Sequence, residues 1–251
     1  FFRLFDSQIQ PMLTYCSEVW GLMADHKIIE RVHTFALKRL LNVSIRTPNA
    51  LIYAETGRYP LYINIYTKCI KFWLKLMTMP EYRFPVKAYK MLNSLHCSNK
   101  TSWVSKICFT LYSYGFGHVW ENQGVTCVKG FLIEFKQRLI DCFHQDWNSN
   151  VSGERFSFYT SFKSVPGLPQ AVFEIKNLAL RKQLLRFRPC VSAIKTHKYR
   201  HIAQSAKLLH CPFCTGVTES EVHFLLVCPI YYEVREKYLP RNSCPDPQLL
   251  Q

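Results

Sequence analysis

The sequence predicts a mainly α fold. Three observations carry this prediction: apolar residues recur at steps of three and four over most of the chain, no hairpin dipeptide sits between alternating runs, and the β-branched clusters are short. With 48% hydrophobic residues, among them 18 Phe, 14 Tyr and 5 Trp, the 251 residues can bury one large core or two smaller ones.

Over 1–20, Phe5, Ile9, Met12, Leu13, Cys16 and Trp20 follow the helical step. Pro11 should kink that helix or divide it in two, because it has no amide proton and its ring crowds the preceding turn. A second helix is predicted from Asp25 to about Leu41, with Ile28, Val32 and Phe35 on one stripe. In RTPNALIYAETG, Thr47 is the expected N-cap, Pro48 takes the first helical position and Gly57 ends the helix.

Further helices are predicted at about 61–78, 86–97 and 102–113. The first is dense in aromatics (Tyr62, Tyr66, Phe72, Trp73) and should lie at the centre of a core. From Lys129 to Trp147, Leu132, Phe135, Leu139, Cys142 and Phe143 form another stripe. The stretches NSNVSG at 148–153 and SVPGLPQ at 164–170 gather Pro, Gly, Ser and Asn between periodic segments. They predict a linker over 148–170 between a helical region, 1–147, and a second part, 171–251. No internal repeat or low-complexity tract is evident.

Thirty-two Lys plus Arg against 17 Asp plus Glu leave a formal charge of +15, a field that attracts polyanions, either nucleic acid or an anionic membrane surface. From Ile175 to Thr218 there is no acid at all, while Lys176, Arg181, Lys182, Arg186, Arg188, Lys195, Lys198, Arg200 and Lys207 supply cations. Such a stretch suits a phosphate-tracking surface, on which Phe187 and Tyr199 can stack with unpaired bases. Within it, LALRKQLLRFR reads as an amphipathic helix with Leu178 and Leu185 inward and its cations outward, so a plain solvated face is the competing reading.

No run of 18 apolar residues exists, so no transmembrane helix is expected. The opening FFRLFDSQIQPM has neither a basic leader before an apolar stretch nor a small-residue cleavage site, and is expected to be cut from a longer chain rather than to be a signal peptide. The 11 cysteines, odd in number and irregular outside 211–228, are expected to be mostly reduced, in an intracellular protein of nucleus or cytoplasm.

The exception to that irregularity is CPFCTGVTESEVHFLLVCP, Cys211 to Pro229. Cys211, Cys214, His223 and Cys228 form a tight Cys-x-x-Cys turn followed by a second, later pair, the usual form of a four-donor zinc site. Gly216 allows the turn after the first pair, Ser220 is placed to cap a short helix carrying His223, and Pro229 drives Cys228 out of the α region and starts the next helix. Four donors leave no open coordination position, so the predicted role is structural. The alternative is a set of reduced core cysteines with a satisfied histidine. His210 is a competing ligand, and Cys190 and Cys244 are more distant ones.

These words also carry a resemblance. RLFDSQIQPMLTYCSEVWG with IIERVHTFALKRLLNVSIRTPNALIYAETGRYPLY resembles the thumb and following helices of reverse transcriptases from non-LTR (LINE-type) retrotransposons. SYGFGHVW, FLIEFKQRLIDCF and CPFC through EVHFLLVCPIYYEVREKY resemble the C-terminal region of the same proteins, with its Cys-Cys-His-Cys zinc knuckle. The likeness is strongest over 3–62 and 205–238 and loosest over 148–172. It implies a multi-helix thumb-like bundle followed by a helical basic segment and a small knuckle in which Cys211, Cys214, His223 and Cys228 hold one structural zinc ion. It further implies that the basic segment meets RNA template or target DNA, RNA–DNA hybrid included, beside the palm and fingers of the parent reverse transcriptase, and that no membrane is a partner.

Catalysis is not implied. A polymerase palm needs an adjacent Asp pair to hold two metal ions, and Asp6, Asp25, Asp141, Asp146 and Asp246 include no adjacent two. LIDCFHQDW offers Asp141, His144 and Asp146 to a nuclease, without a second carboxylate cluster to complete a site, and GFG at 115–117 is too short for a phosphate loop. The chain is therefore expected to be noncatalytic, with two competing readings: a helical protein-interaction module from a degenerate element, and a stand-alone metal-dependent nuclease. Phosphate and minor-groove contacts carry little sequence information, so the expected preference is for nucleic-acid shape.

Overall fold

A computed structural model describes residues 2–153, 156–189, 194, 196 and 209–238. Among these the chain is mainly helical and contains no strand; the one β-type contact is an isolated antiparallel bridge between His210 and Thr218. None of the described helices is long and apolar enough to cross a membrane.

The first twenty residues are divided at Thr14–Cys16 and not at Pro11: Phe2–Leu4, Phe5–Ile9 and Gln10–Leu13 follow one another in unbroken helical backbone, with a π turn at Phe5–Ile9 just before the proline, and Ser17–Trp20 starts afresh. Pro11 lies in the first turn of Gln10–Leu13, and Cys16 takes a left-handed conformation, φ 51°, before Ser17. Of the expected stripe Phe5 is buried, but Met12 and Cys16 face outward, because the π turn at Phe5–Ile9 and then the turn at Thr14–Cys16 each shift the face.

Helix α1, Lys27–Leu41, forms where expected, yet it buries the opposite stripe. His33, Thr34, Leu37, Lys38 and Leu41 face the core, while Ile28 is 73% exposed and Val32 and Phe35 are exposed with it. The polar members of the inner face each have a partner, which offsets much of the penalty of burial, and His33 Nε2 is the atom among them left unpaired. Thr34 donates its hydroxyl to the Glu30 carbonyl (2.8 Å), the Lys38 ammonium donates to the Ile45 carbonyl (2.8 Å), and His33 Nδ1 lies 2.9 Å from a Glu30 carboxylate oxygen. That carboxylate also accepts the Tyr53 hydroxyl and the Leu61 amide.

Helix α2, Asn49–Thr56, starts one residue later than predicted: Pro48 occupies the cap position, Thr47 is buried without capping it, and Gly57 ends the helix at φ +62°. Helix α3, Leu61–Met77, buries residues on several sides, including Ile65, Cys69, Ile70 and Trp73, and is the central element, with Tyr62, Tyr66 and Phe72 half-buried around it. Helices α4 (Phe84–Cys97), α5 (Trp103–Ser113) and α6 (Gly117–Glu121) complete one side; α5 is opened by a capping box between Ser102 and Ser105. Helix α7, Val128–Val151, packs along α3 through Phe131, Phe135, Leu139, Phe143, Trp147 and Val151 at four-residue steps, and the Trp147 indole donates to the Ala50 carbonyl (3.0 Å). Of the predicted stripe, Leu132 and Cys142 are only half-buried.

Within 148–170, expected to be a linker, Val151, Phe156 and Tyr159 pack into the same core. Asn148–Val151 continue α7, the short helix α8, Ser157–Phe162, buries Tyr159 completely, and the Gly167 amide donates to the Ala54 carbonyl (3.0 Å). After α9, Gln170–Glu174, the Asn177 side chain caps α10, Leu178–Phe187, by accepting the amides of Ala179 and Leu180. Leu185 packs α10 into the shared core, which also takes in Phe156 and Val172, whereas Leu178, expected inward, is 52% exposed.

Candidate metal centre

The Cys-x-x-Cys turn is held by backbone pairing on both sides. The Glu219 amide donates to the Leu209 carbonyl (2.8 Å) and the Cys211 amide to the Val217 carbonyl (2.7 Å), with Gly216 at φ +75° making the return. Ser220 then starts the next turn: its hydroxyl oxygen accepts the His223 amide (3.1 Å) and its carbonyl accepts the Phe224 amide (2.9 Å). That turn, His223–Val227, carries the imidazole. The Cys228 amide donates to the His223 carbonyl (2.7 Å), and Cys228 leaves the helical region at ψ 122° before Pro229 opens a 3-10 turn, Pro229–Tyr231, leading into helix α11, Tyr232–Tyr238.

These turns bring four donors together. One ligand atom from each of Cys211, Cys214, His223 and Cys228 lies within 4.8 Å of all the others, and Cys228 Sγ is 3.8 Å from both Cys211 Sγ and Cys214 Sγ. A tetrahedral centre with metal–sulfur bonds of about 2.3 Å separates its sulfurs by about 3.8 Å. His223 is 6% exposed, and neither ring nitrogen has a hydrogen-bond partner. Leaving a buried polar atom unpaired costs about 1–3 kcal/mol, and a coordinated cation would remove that cost. The residues therefore fit a metal ion: this Cys3His cluster could hold one, and among the described residues it is the one group of His, Cys, Asp and Glu side chains so arranged.

The thiols differ in character. Burial alone would raise Cys211, but the backbone amides of Phe213 and Cys214 point at its sulfur and hold it below the ordinary thiol value. Cys214 is pushed up to about 11 by burial and by the neighbouring thiols of Cys228 and Cys211. His210, the competing ligand, pairs its backbone with Thr218 in the bridge, and its side chain is not one of the four-donor group.

The predicted cationic surface is divided. Lys176 and Arg186 are exposed on and before α10, while Arg181 and Lys182 are half-buried along a cleft of about 340 Å³ shared with Phe2, Leu40 and Leu168. Arg188 turns the other way. Its Nε and one terminal nitrogen donate to the Glu55 carboxylate (2.7 and 3.2 Å), which is fully buried and also accepts the Tyr159 hydroxyl (2.9 Å). Its guanidinium lies 4.8 Å from the centre of the Phe162 ring. Arg188 is thus a fastening between α10 and α2, and no longer belongs with the exposed cations. Lys195, Lys198, Arg200 and Lys207, with Cys190, Tyr199, Cys244 and Asp246, lie outside the described residues.

The nuclease-like set does not assemble. Asp141 accepts from the Gln137 amide (2.9 Å), Asp146 is exposed, and His144 lies tilted against Tyr59. Sequence reasoning missed the Glu55–Arg188–Tyr159 cluster, whose members are separated by long stretches, and it missed the rings of Phe213, Phe224 and Tyr231 around the knuckle. Their spacing from the cysteines is the only local signal they give. No protein-family model, no curated protein and no solved structure matches the chain.

Proposed function

We propose that the chain is a noncatalytic nucleic-acid-binding module, in which the Cys3His cluster holds one structural zinc ion and exposed cations beside it meet RNA or DNA. The observation that carries the metal in this reading is His223, buried with two unpartnered nitrogens among three sulfurs, of which Cys228 Sγ stands 3.8 Å from the other two. Three sulfurs and an imidazole suit zinc, which prefers four such donors and supplies rigidity rather than chemistry when no position is open. Bound there, the ion would tie the 211–214 turn to 223–228.

Support for a polyanionic partner comes from the net charge of +15 and from Lys176 and Arg186, exposed on the segment that precedes the cluster. The resemblance of the chain to the thumb and knuckle region of LINE-type reverse transcriptases points the same way and makes RNA, DNA and their hybrid the partners to try, with palm and fingers on a parent chain and an intracellular setting. The test is fluorescence anisotropy with single-stranded RNA and an RNA–DNA hybrid across a salt series, with and without a chelator. A steep loss of affinity with salt, deepened by chelation, is the expected result; absence of binding at low salt would refute the reading.

One observation favours a second reading, a helical protein-interaction module. Among the described residues, the outward stripe of Ile28, Val32 and Phe35 on α1 stands outside the hydrophobic core, and exposed apolar stripes of this spacing serve helix recognition.

A further inference from the structure

We infer that the groove between α10 and the knuckle takes the unpaired bases of a single-stranded nucleic acid, a step that rests on the nucleic-acid reading above. The groove encloses about 740 Å³, with Leu180, Gln183 and Phe187 on one wall and Phe224 and Tyr231 on the other. Pockets of about 300–1,000 Å³ enclose a drug-sized ligand, so this one has room for at least a nucleobase.

Its walls are connected by a row of rings. Phe213, 59% exposed in the Cys-x-x-Cys turn, lies 6.4 Å from Tyr231; Tyr231 lies 4.8 Å from Phe224, and Phe224 lies 6.4 Å from Phe187. The rings lead from the tip of the knuckle into the groove. Phe213 is the exposed member, whereas Tyr231, Phe224 and Phe187 are half-buried and Phe187 also meets Phe158 edge to face (5.8 Å), so an entering strand meets Phe213 first and the half-buried ring of Tyr231 next. Base–aromatic stacking tolerates any sequence because every base has a π face.

Charge places the strand. The lining is largely apolar and would strip a phosphate of its water, which keeps phosphates out of the interior; its one acid, Glu219, is buried and engaged within the protein. Arg186 is exposed at the same groove and can neutralise a phosphate outside it. Bases therefore go inward and the backbone outward. A duplex keeps its base faces stacked on one another and shows only their edges in its grooves, so it offers no face to these rings; a single strand does.

The test uses the full chain loaded with zinc, a single-stranded RNA containing 2-aminopurine, and the same sequence as a duplex. Phe213→Ala and Tyr231→Leu remove ring faces, the first at an exposed position, and each is checked for unchanged zinc content and circular dichroism. Single-strand affinity is expected to fall on the order of 5- to 150-fold per ring removed, with duplex affinity unchanged and the 2-aminopurine quenching lost. Unchanged single-strand affinity in both variants, while salt-dependent binding persists, would overturn the groove and leave the nucleic-acid reading standing. Failure of the unsubstituted protein to bind either form would overturn both.

Discussion

Replacing Arg188 with methionine should unfold the protein more easily without touching any exposed phosphate contact. Glu55 has no exposure, and the carboxylate accepts two bonds from Arg188 and one from Tyr159. After Arg188→Met, a buried carboxylate keeps Tyr159 but loses its counter-charge, and removing one partner of a buried ion pair costs about 3–5 kcal/mol. A domain of ordinary stability has only about 5–15 kcal/mol to lose. The triple variant Glu55→Leu, Tyr159→Phe, Arg188→Met should recover most of that loss, because no buried polar group is then left without a partner. Urea denaturation at pH 7 measures both, as a lowered midpoint in the single variant and a restored one in the triple. An Arg188→Met midpoint equal to that of the unsubstituted protein, with a drop in nucleic-acid affinity instead, would refute the assignment and return Arg188 to the binding surface.

Cys228→Ser or His223→Ala should abolish stoichiometric zinc binding and open 209–238 to protease while the helical part keeps its circular dichroism, since apparent zinc affinities of about 10–16 kcal/mol are enough to order such a segment; chelator-insensitive protease resistance there would sink the claim. Stability should fall as pH rises from about 9 towards 12, because burial pushes the Cys69 thiol up to about 12 from a usual value near 9, and burial and neighbouring groups push Tyr114 up to about 12. The sign follows from the unfolded chain releasing these protons first, so thermal midpoints measured over that range should decline and those of Cys69→Ala should decline less. Gly57→Ala should cost at least about 2 kcal/mol, because φ is +62° and the added carbon would stand 2.8 Å from the Leu168 amide nitrogen. Gly216→Ala, also at positive φ but with open space around it, should cost less in the same denaturation assay.

What the sequence disclosed and what it concealed divide along a physical line. The metal cluster was legible because its four donors and the residues shaping their turns, Gly216, Ser220 and Pro229, all lie within one short stretch. Helices α3 and α7 were legible because long apolar periods outweigh local exceptions. Helix α1 was located correctly and turned the wrong way. Hydrophobicity favours Ile28, Val32 and Phe35 as its inner face, but His33, Thr34 and Lys38 are buried because Glu30 and the Ile45 carbonyl receive them. A periodicity cannot register whether a polar side chain will find its acceptor. The same blindness hid Arg188, whose acceptor, Glu55, is 133 residues away, and it made 148–170 look like a linker when Val151, Phe156 and Tyr159 are held by a core built from earlier segments.

That separation also sets a schedule for synthesis. A ribosome adds about 5–20 residues per second, so Glu55 emerges about 7 to 27 s before the arginine that neutralises it. During the interval α2 cannot close over an ionised carboxylate without losing its hydration, and the nascent chain must leave that side open to water. Tyr159 arrives first and offers one neutral bond; Arg188 arrives later and completes the closure. A helix made late thus seals one made early, and a chain that stops between the two is left with Glu55 open to water and without its arginine.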